Sequence, residues 1–219
     1  MFIGHFGVGF AAKRVDSRPS LGTMFLAAQL LDVLWPVFLL LGIERVRIAP
    51  VNDAFLTLHF TYYPFSHSLL ASIVWSLLFA FAYYLIRKNM RGSIVLGLLV
   101  FSHWILDFLT HIPDLPLYPG SEVKVGLGMW NSTVLTIVVE GFIFVAGAWI
   151  YIASTKSKNL RGKLALWGLL LFLGLAYASD LMSPPPPSTE ALAIVGIFMW
   201  LLVAWAYWID RNRITKVSS

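Results

Sequence analysis

Apolar residues in this chain fall in long runs that are bounded by charges or by Pro and Gly. Six runs stand out: Ser20 to Ile43, Pro64 to Ile86, Gly92 to Ile112, Met129 to Ser154, Leu164 to Met182 and Ala191 to Ile209. A helix needs about 20 residues to cross roughly 30 Å of hydrocarbon, so each run predicts a transmembrane helix. No Lys or Arg interrupts any of them. The alternating ten-residue segments of a β-barrel are not seen. Ahead of the first run, Met1 to Ala12 is apolar and Gly-rich, too short to cross, and ends in Lys13-Arg14. The charges follow the apolar stretch instead of preceding it, which is the wrong order for a cleavable signal peptide. At about 1.5 Å per residue, a helix starting at Lys13 reaches roughly 12 Å inward by His5, so a re-entrant half-helix is predicted. The expected fold is all-α: one polytopic domain over 1–219, with six transmembrane helices preceded by that half-helix and no internal repeat.

Composition agrees. Residues are 58% hydrophobic and 12% charged, against about 25% charged in soluble chains, which excludes a soluble enzyme. Without cysteine, disulfides and thiolates are excluded, and a metal site has to be built from His, Asp and Glu. The net charge of +5 is divided unevenly. Thirteen of the sixteen basic residues fall in the segments before span one, between two and three, between four and five, and after six. The others, Arg45, Arg47 and Lys124, share the opposite side with Glu44, Asp53, Asp114, Glu122 and Glu190. The positive-inside rule then puts both termini in the cytoplasm of a cell membrane, with Glu44 to Tyr63, Pro113 to Gly128 and the stiff Pro184 to Pro187 run outside. Trp and Tyr near the span ends suit an interfacial belt. The basic ends suit membrane lipids with anionic heads, and no nucleic-acid motif is present.

Ionisable residues inside spans are costly and therefore informative. They are Asp32 in span one, His67 opening span two, His103 and Asp107 in span three with His111 at its end, Glu140 in span four and Asp180 in span five, with His5 approaching on the half-helix. His103, Asp107 and His111 follow at i, i+4 and i+8, which in a continuous helix is one face. Counting residues puts His103 and Glu140 near mid-depth and His67 in the same layer, a cavity opening to the outer side. Carboxylates there have no Lys or Arg within reach and must be protonated, hydrated or neutralised by a cation; several imidazoles beside them favour the cation. Any single His could instead make an interhelical hydrogen bond. Trp130-Asn131-Ser132 offers an N-cap for span four, with Asn131 alternatively lining the cavity mouth beside His111. His59 reads as a loop residue, Asp114 as a turn residue between prolines, and Asp180 as an interhelical hydrogen-bonding group.

Gly4-His5-Phe6, Asp32, Ser66-His67-Ser68 and the run His103-Trp104-Ile105-Leu106-Asp107-Phe108-Leu109-Thr110 together resemble the YdjM-like family of LexA-binding, inner-membrane-associated metal-dependent hydrolases. The likeness covers about Met1 to Glu140 and leaves spans five and six without a motif. That family is distantly similar to zinc-dependent phospholipase C enzymes. The resemblance implies one metal site of Asp32, His67, His103 and Asp107, and a second where His5 joins Asp107. The His-x-x-x-Glu pair that completes a third site in the phospholipases is missing, with His111 and Glu140 as its only counterparts, so the expectation is one or two divalent ions, zinc or manganese. Asp32 would either ligate or accept the proton of the attacking water.

The expected function is thus a membrane-embedded metal-dependent hydrolase acting on a phosphoester or lipid-linked substrate. Two other classes use the same residues: a cation- or proton-coupled transporter, which a half-helix aimed at midplane carboxylates suits, and a partner-binding membrane protein with no active site.

Overall fold

A computed structural model describes residues 1–48 and 57–216. The loop positions between these stretches, Asp53 among them, lie outside the described residues. The chain begins with helix α1 (Ile3–Val15), followed by α2 (Leu21–Ala28) and α3 (Leu30–Leu40). A hairpin of β1 (Arg45–Ile48) and β2 (Leu58–Tyr62) leads into the one-turn α4 (Pro64–His67), α5 (Leu69–Arg87) and α6 (Met90–Thr110). After the two-residue strands β3 (Leu115–Pro116) and β4 (Lys124–Val125) and a 3₁₀ turn (Met129–Asn131) come α7 (Thr133–Ser154), β5 (Thr155–Ser157) and α8 (Leu160–Met182). The chain continues through α9 (Thr189–Ile197) and α10 (Met199–Arg211) to β6 (Arg213–Thr215), which pairs with β5.

Five helices are long and apolar enough to cross a membrane: α5, α6, α7, α8 and the α9–α10 pair. The bent pair α2–α3 makes a sixth. The protein is therefore an all-α membrane protein, with strands confined to its ends. Six helix starts are set by a side-chain oxygen accepting from a backbone N–H three residues on: Ser20, Ser68, Asn89, Ser132, Asn159 and Ser188. Each satisfies an N–H that the helix leaves free.

Two expected spans are interrupted. Span one breaks at Gln29, where α2 and α3 meet at 58°. Pro36, inside α3, removes a further hydrogen bond, to the carbonyl of Asp32, four residues earlier. Span two breaks at Ser68, whose extended backbone (φ −71°, ψ 154°) separates α4 from α5. Both breaks lie beside candidate ligands.

Helix α1 is nearly all buried, with His5, Phe6 and Phe10 at 1%, 0% and 0% exposure. Its packing against α7 depends on missing side chains, since a Cβ on Gly147 would collide with the Gly7 carbonyl and one on Gly7 with the Ile143 carbonyl. Phe6 and Phe10 meet Phe25 edge-on at 5.0 and 4.8 Å, tying α1 to α2. The Lys13 end of α1 reaches the basic end of the bundle. There Lys13 pairs with Asp210 at 2.9 Å, and Arg14, Arg18, Arg91 and Lys216 line one depression. The segregation of charge along the sequence is thus a segregation in space. The first residue departs from expectation: Met1 lies inside the bundle, 2.8 Å from Asp107 Oδ1, and not at the basic end.

Candidate metal centre

Four side chains converge from three elements of the bundle. Asp32 comes from the first turn of α3, where the positive helix end favours a carboxylate. His67 comes from the end of α4, and His103 and Asp107 from successive turns of α6. His67 Nε2 is 3.3 Å from Asp32 Oδ1 and 3.7 Å from Asp107 Oδ2. His103 Nε2 is 3.6 Å from Asp32 Oδ1 and 3.1 Å from Asp107 Oδ2. Donors held about 2.0–2.2 Å from a shared tetrahedral ion stand about 3.3–3.6 Å apart, and these four His–Asp separations bracket that range.

The breaks in spans one and two orient the rings. At the bend after α2 the Ala28 carbonyl accepts from His103 Nδ1 at 2.7 Å. That bond leaves Nε2 of the neutral ring with a bare lone pair, and Nε2 is buried without a hydrogen bond although Asp107 is near. Ser66 donates its one hydroxyl proton to Glu44 Oε2 at 2.6 Å, so its oxygen accepts from His67 Nδ1 at 2.7 Å. His67 therefore also turns Nε2 inward. Glu44 is itself fixed by the backbone N–H groups of Phe65 and Ser66, at 2.8 Å each. The Met1 amine offsets one carboxylate through Asp107 Oδ1; the remaining carboxylate and two lone pairs facing one point favour a cation between them, and hydrogen bonds on the far ring nitrogens are how metal-ligating imidazoles are usually held.

His5 adds to this cluster from α1. Its ring stacks on His103 at 3.6 Å with planes 3° apart, and Nε2 lies 3.1 Å from Asp107 Oδ1. Asp107 thus offers one oxygen to the His67–His103 side and the other to His5. Among the described residues, two overlapping groups of three have ligand atoms close enough to hold an ion: Asp32, His67 and His103, and His5, His103 and Asp107.

Other expected site residues are placed elsewhere. Glu140 does not join the cluster: its Oε2 accepts from the N–H groups of Phe2 (2.8 Å) and Gly4 (3.4 Å), capping the buried start of α1. His111 is not a helical residue of α6 but its C-cap, with its N–H bonded to the Asp107 carbonyl at 2.7 Å and its side chain lining the pocket above the cluster. The helix ends at Thr110, two residues ahead of the one preceding Pro113, and His111 turns out in extended conformation. Its Nδ1 meets Asp114 Oδ1 at 2.8 Å, Tyr63 donates to the same oxygen at 2.8 Å, and Trp130 packs on its ring at 4.0 Å. Asp114 is therefore more than a turn residue. Asn131 is exposed, Ser132 is the N-cap of α7, and Trp130 takes the wall position expected of Asn131. His59 lies on β2, paired with Arg47.

A pocket of about 130 Å³ reaches the cluster, walled by Trp35, Phe60, His111, Trp130 and Tyr177, with Glu140 and Asp180 on its rim. Among the described residues no Lys or Arg lines it. Asp32 is the open member of the cluster: its side chain is 25% exposed, against 4%, 0% and 2% for His67, His103 and Asp107.

No protein-family model matches the chain, and comparison with curated proteins and with solved structures gives no match.

Proposed function

We propose that this protein is a membrane-embedded, metal-dependent hydrolase of phosphoester or lipid-linked substrates, with zinc, or else manganese, held by Asp32, His67, His103 and Asp107. The observation that carries the reading is the convergence of two imidazole lone pairs and two carboxylates, each His–Asp pair 3.1 to 3.7 Å apart, with the far ring nitrogens already engaged. His5 and the second oxygen of Asp107 would hold a second ion if the Met1 amine, 2.8 Å from that oxygen, gave way to it. The likeness of these same residues to the YdjM-like hydrolases supports the reading. On the charge bias, the basic end and the residues after α10 face the cytoplasm, and the pocket opens to the outer side of a cell membrane.

A divalent ion there would lower the pKa of a coordinated water toward about 7 and polarise a phosphoryl or acyl oxygen. The chain's own part follows from exposure and contacts. Asp32, open to the pocket, would either complete the ligand set or, with the ion held by His67, His103 and Asp107 and its fourth position left to water, receive the proton of that water and return it to the leaving oxygen. His67 and His103 are held rigid by Ser66 and the Ala28 carbonyl, so the site needs no rearrangement at the moment of reaction. Trp35, Phe60 and Trp130 present apolar surface to the remainder of the pocket, which disfavours water there.

The test is hydrolysis of a chromogenic phosphodiester and of its carboxylic ester counterpart by protein stripped with chelator and reloaded with zinc or manganese. Turnover should require the ion and should vanish in Asp32→Asn. Equal turnover by stripped protein, or by the variant, contradicts the reading.

A coupled transporter is the second reading, favoured by the 58° break at Gln29 beside the cluster, because broken helices at mid-depth serve ion pathways in transporters. It requires that the cluster become reachable from the basic end as well as from the pocket.

A further inference from the structure

The aromatic-walled pocket above the cluster shares a wall with a second cavity that, among the described residues, carries no ionisable group. Phe2 lines both. The second is an apolar groove of about 560 Å³ between α8 and α9–α10, formed by Phe172, Ala176, Val195, Met199 and Trp205 among others. These helices belong to the part of the chain that carries no motif, and they contribute none of the candidate ligands.

At the junction stands Tyr177, adjacent in sequence to Ala176 of the groove. Its ring borders the polar pocket and lies 6.4 Å from that of Phe2. The side chain is 7% exposed, and its hydroxyl has no hydrogen-bond partner among the described residues. A buried hydroxyl without a partner is a cost that a ligand oxygen would remove. The order of surfaces, from carboxylates and imidazoles to one free hydroxyl to hydrocarbon, is the order of groups in an amphiphile.

We propose that pocket and groove together bind one molecule of a membrane phospholipid. Its phosphodiester lies at the cluster, an ester oxygen near the glycerol accepts from the Tyr177 hydroxyl, and one acyl chain lies in the α8/α9–α10 groove. The head position rests on the hydrolase reading above. The chain position rests on the groove itself: it lies on membrane-spanning helices, where the surrounding medium is acyl chain, and only the Phe2 side chain, which lines both cavities, stands between it and the pocket. A soluble ester would use the pocket and leave the groove without purpose. Helices α8 to α10 then have a role, as the half of the site that selects a lipid.

The experiment uses the full chain in dodecyl maltoside micelles with about one equivalent of phosphatidylglycerol carrying a diazirine at the end of one acyl chain, an amount at which detergent covers the non-specific surface. After illumination, labelled peptides are mapped by mass spectrometry. Label should concentrate on 172–177 and 195–205. It should fall in Ala176→Trp to the level found on the lipid-facing α5 residues Leu77 and Phe81. Unlabelled long-chain phosphatidylglycerol should compete and the dihexanoyl form should not. Tyr177→Phe should raise the concentration for half-maximal labelling by roughly threefold to tenfold, the weight of one hydrogen bond. Label spread evenly over α5 and the groove, or labelling and competition indifferent to Ala176→Trp and to chain length, would overturn the proposal. Labelling needs no turnover, so the two readings separate. Groove labelling in a protein that neither binds metal nor hydrolyses esters supports the groove and contradicts the hydrolase. Ion-dependent hydrolysis without groove labelling does the reverse.

Discussion

Replacing Ser66 by Ala isolates the contribution of ring orientation to the site. Ser66 Oγ is the link between Glu44 (2.6 Å) and His67 Nδ1 (2.7 Å), and it is fully buried. Without it, His67 can rotate or take the other tautomer, turning its lone pair away from Asp32 and Asp107. The Glu44 carboxylate keeps its two backbone donors, so the hairpin should stay in place. Loss of such an outer partner typically weakens metal binding about 10- to 100-fold, which is about 1.4–2.7 kcal/mol. A competition titration of the purified variant against a chromogenic zinc chelator reads this directly. The expected result is unchanged stoichiometry with affinity reduced by that factor, and Ser66→Thr, which restores the hydroxyl, should recover most of it. An affinity equal to that of the parent chain would show that His67 is not held through Ser66 and would remove the tautomer argument for the centre.

Glu140→Ala should lower the melting temperature while leaving metal content intact, because it leaves the Phe2 and Gly4 N–H groups without an acceptor, a loss of about 1–3 kcal/mol. Loss of the ion in this variant would restore Glu140 as a ligand. Gly147→Ala should destabilise by about 1–3 kcal/mol or more, because the Gly7 carbonyl it meets is backbone and cannot move aside; a thermal melt unchanged from the parent would refute the packing of α1 on α7. At the basic end, hydrogen bonds from the Arg18 side chain hold Asp16 below the ordinary carboxylate range, against the effect of burial. A group whose pKa is lower in the folded state stabilises fully above its unfolded value of about 3.9 and loses that contribution as pH falls through the folded one. Asp16→Asn should accordingly show less acid-side decline in melting temperature below about pH 4 than the parent, and parallel declines would deny the pair any role.

The parts of this architecture that are legible in the sequence are those set by local pattern. Uninterrupted apolar runs give the membrane helices, and the clustering of Lys and Arg gives the end at which Lys13, Arg14, Arg91 and Lys216 meet. The i, i+4 spacing of His103 and Asp107 gives one edge of the site, because both lie within continuous α6. The same reasoning carries the helix one residue too far, to His111, where Ile112-Pro113 stops it, although His111 still lines the pocket. The break at Gln29 has no Gly or Pro at the bend itself to announce it, and it is this break that frees the Ala28 carbonyl for His103. Glu44 could be read as a loop acid because its partner Ser66 is 22 positions away and only the folded chain brings them together. Glu140 fails as a ligand for a related reason: mid-depth placement is shared by any group that caps a half-helix ending at mid-depth. The position of Met1 follows from that cap, and the count of charges carried no information about it. Tyr177 and the α8–α10 groove have no sequence signal beyond apolar residues, which every span has.

The central claim is that Asp32, His67, His103 and Asp107 hold a divalent ion, and metal analysis of the detergent-purified protein tests it most directly. After dialysis against metal-free buffer, inductively coupled plasma mass spectrometry should find about one to two zinc or manganese ions per chain. His103→Ala and Asp107→Ala should lose them while remaining folded by circular dichroism, and His59→Ala, on β2, should retain them in full. Substoichiometric metal in the parent protein, or a full complement in His103→Ala, would contradict the account.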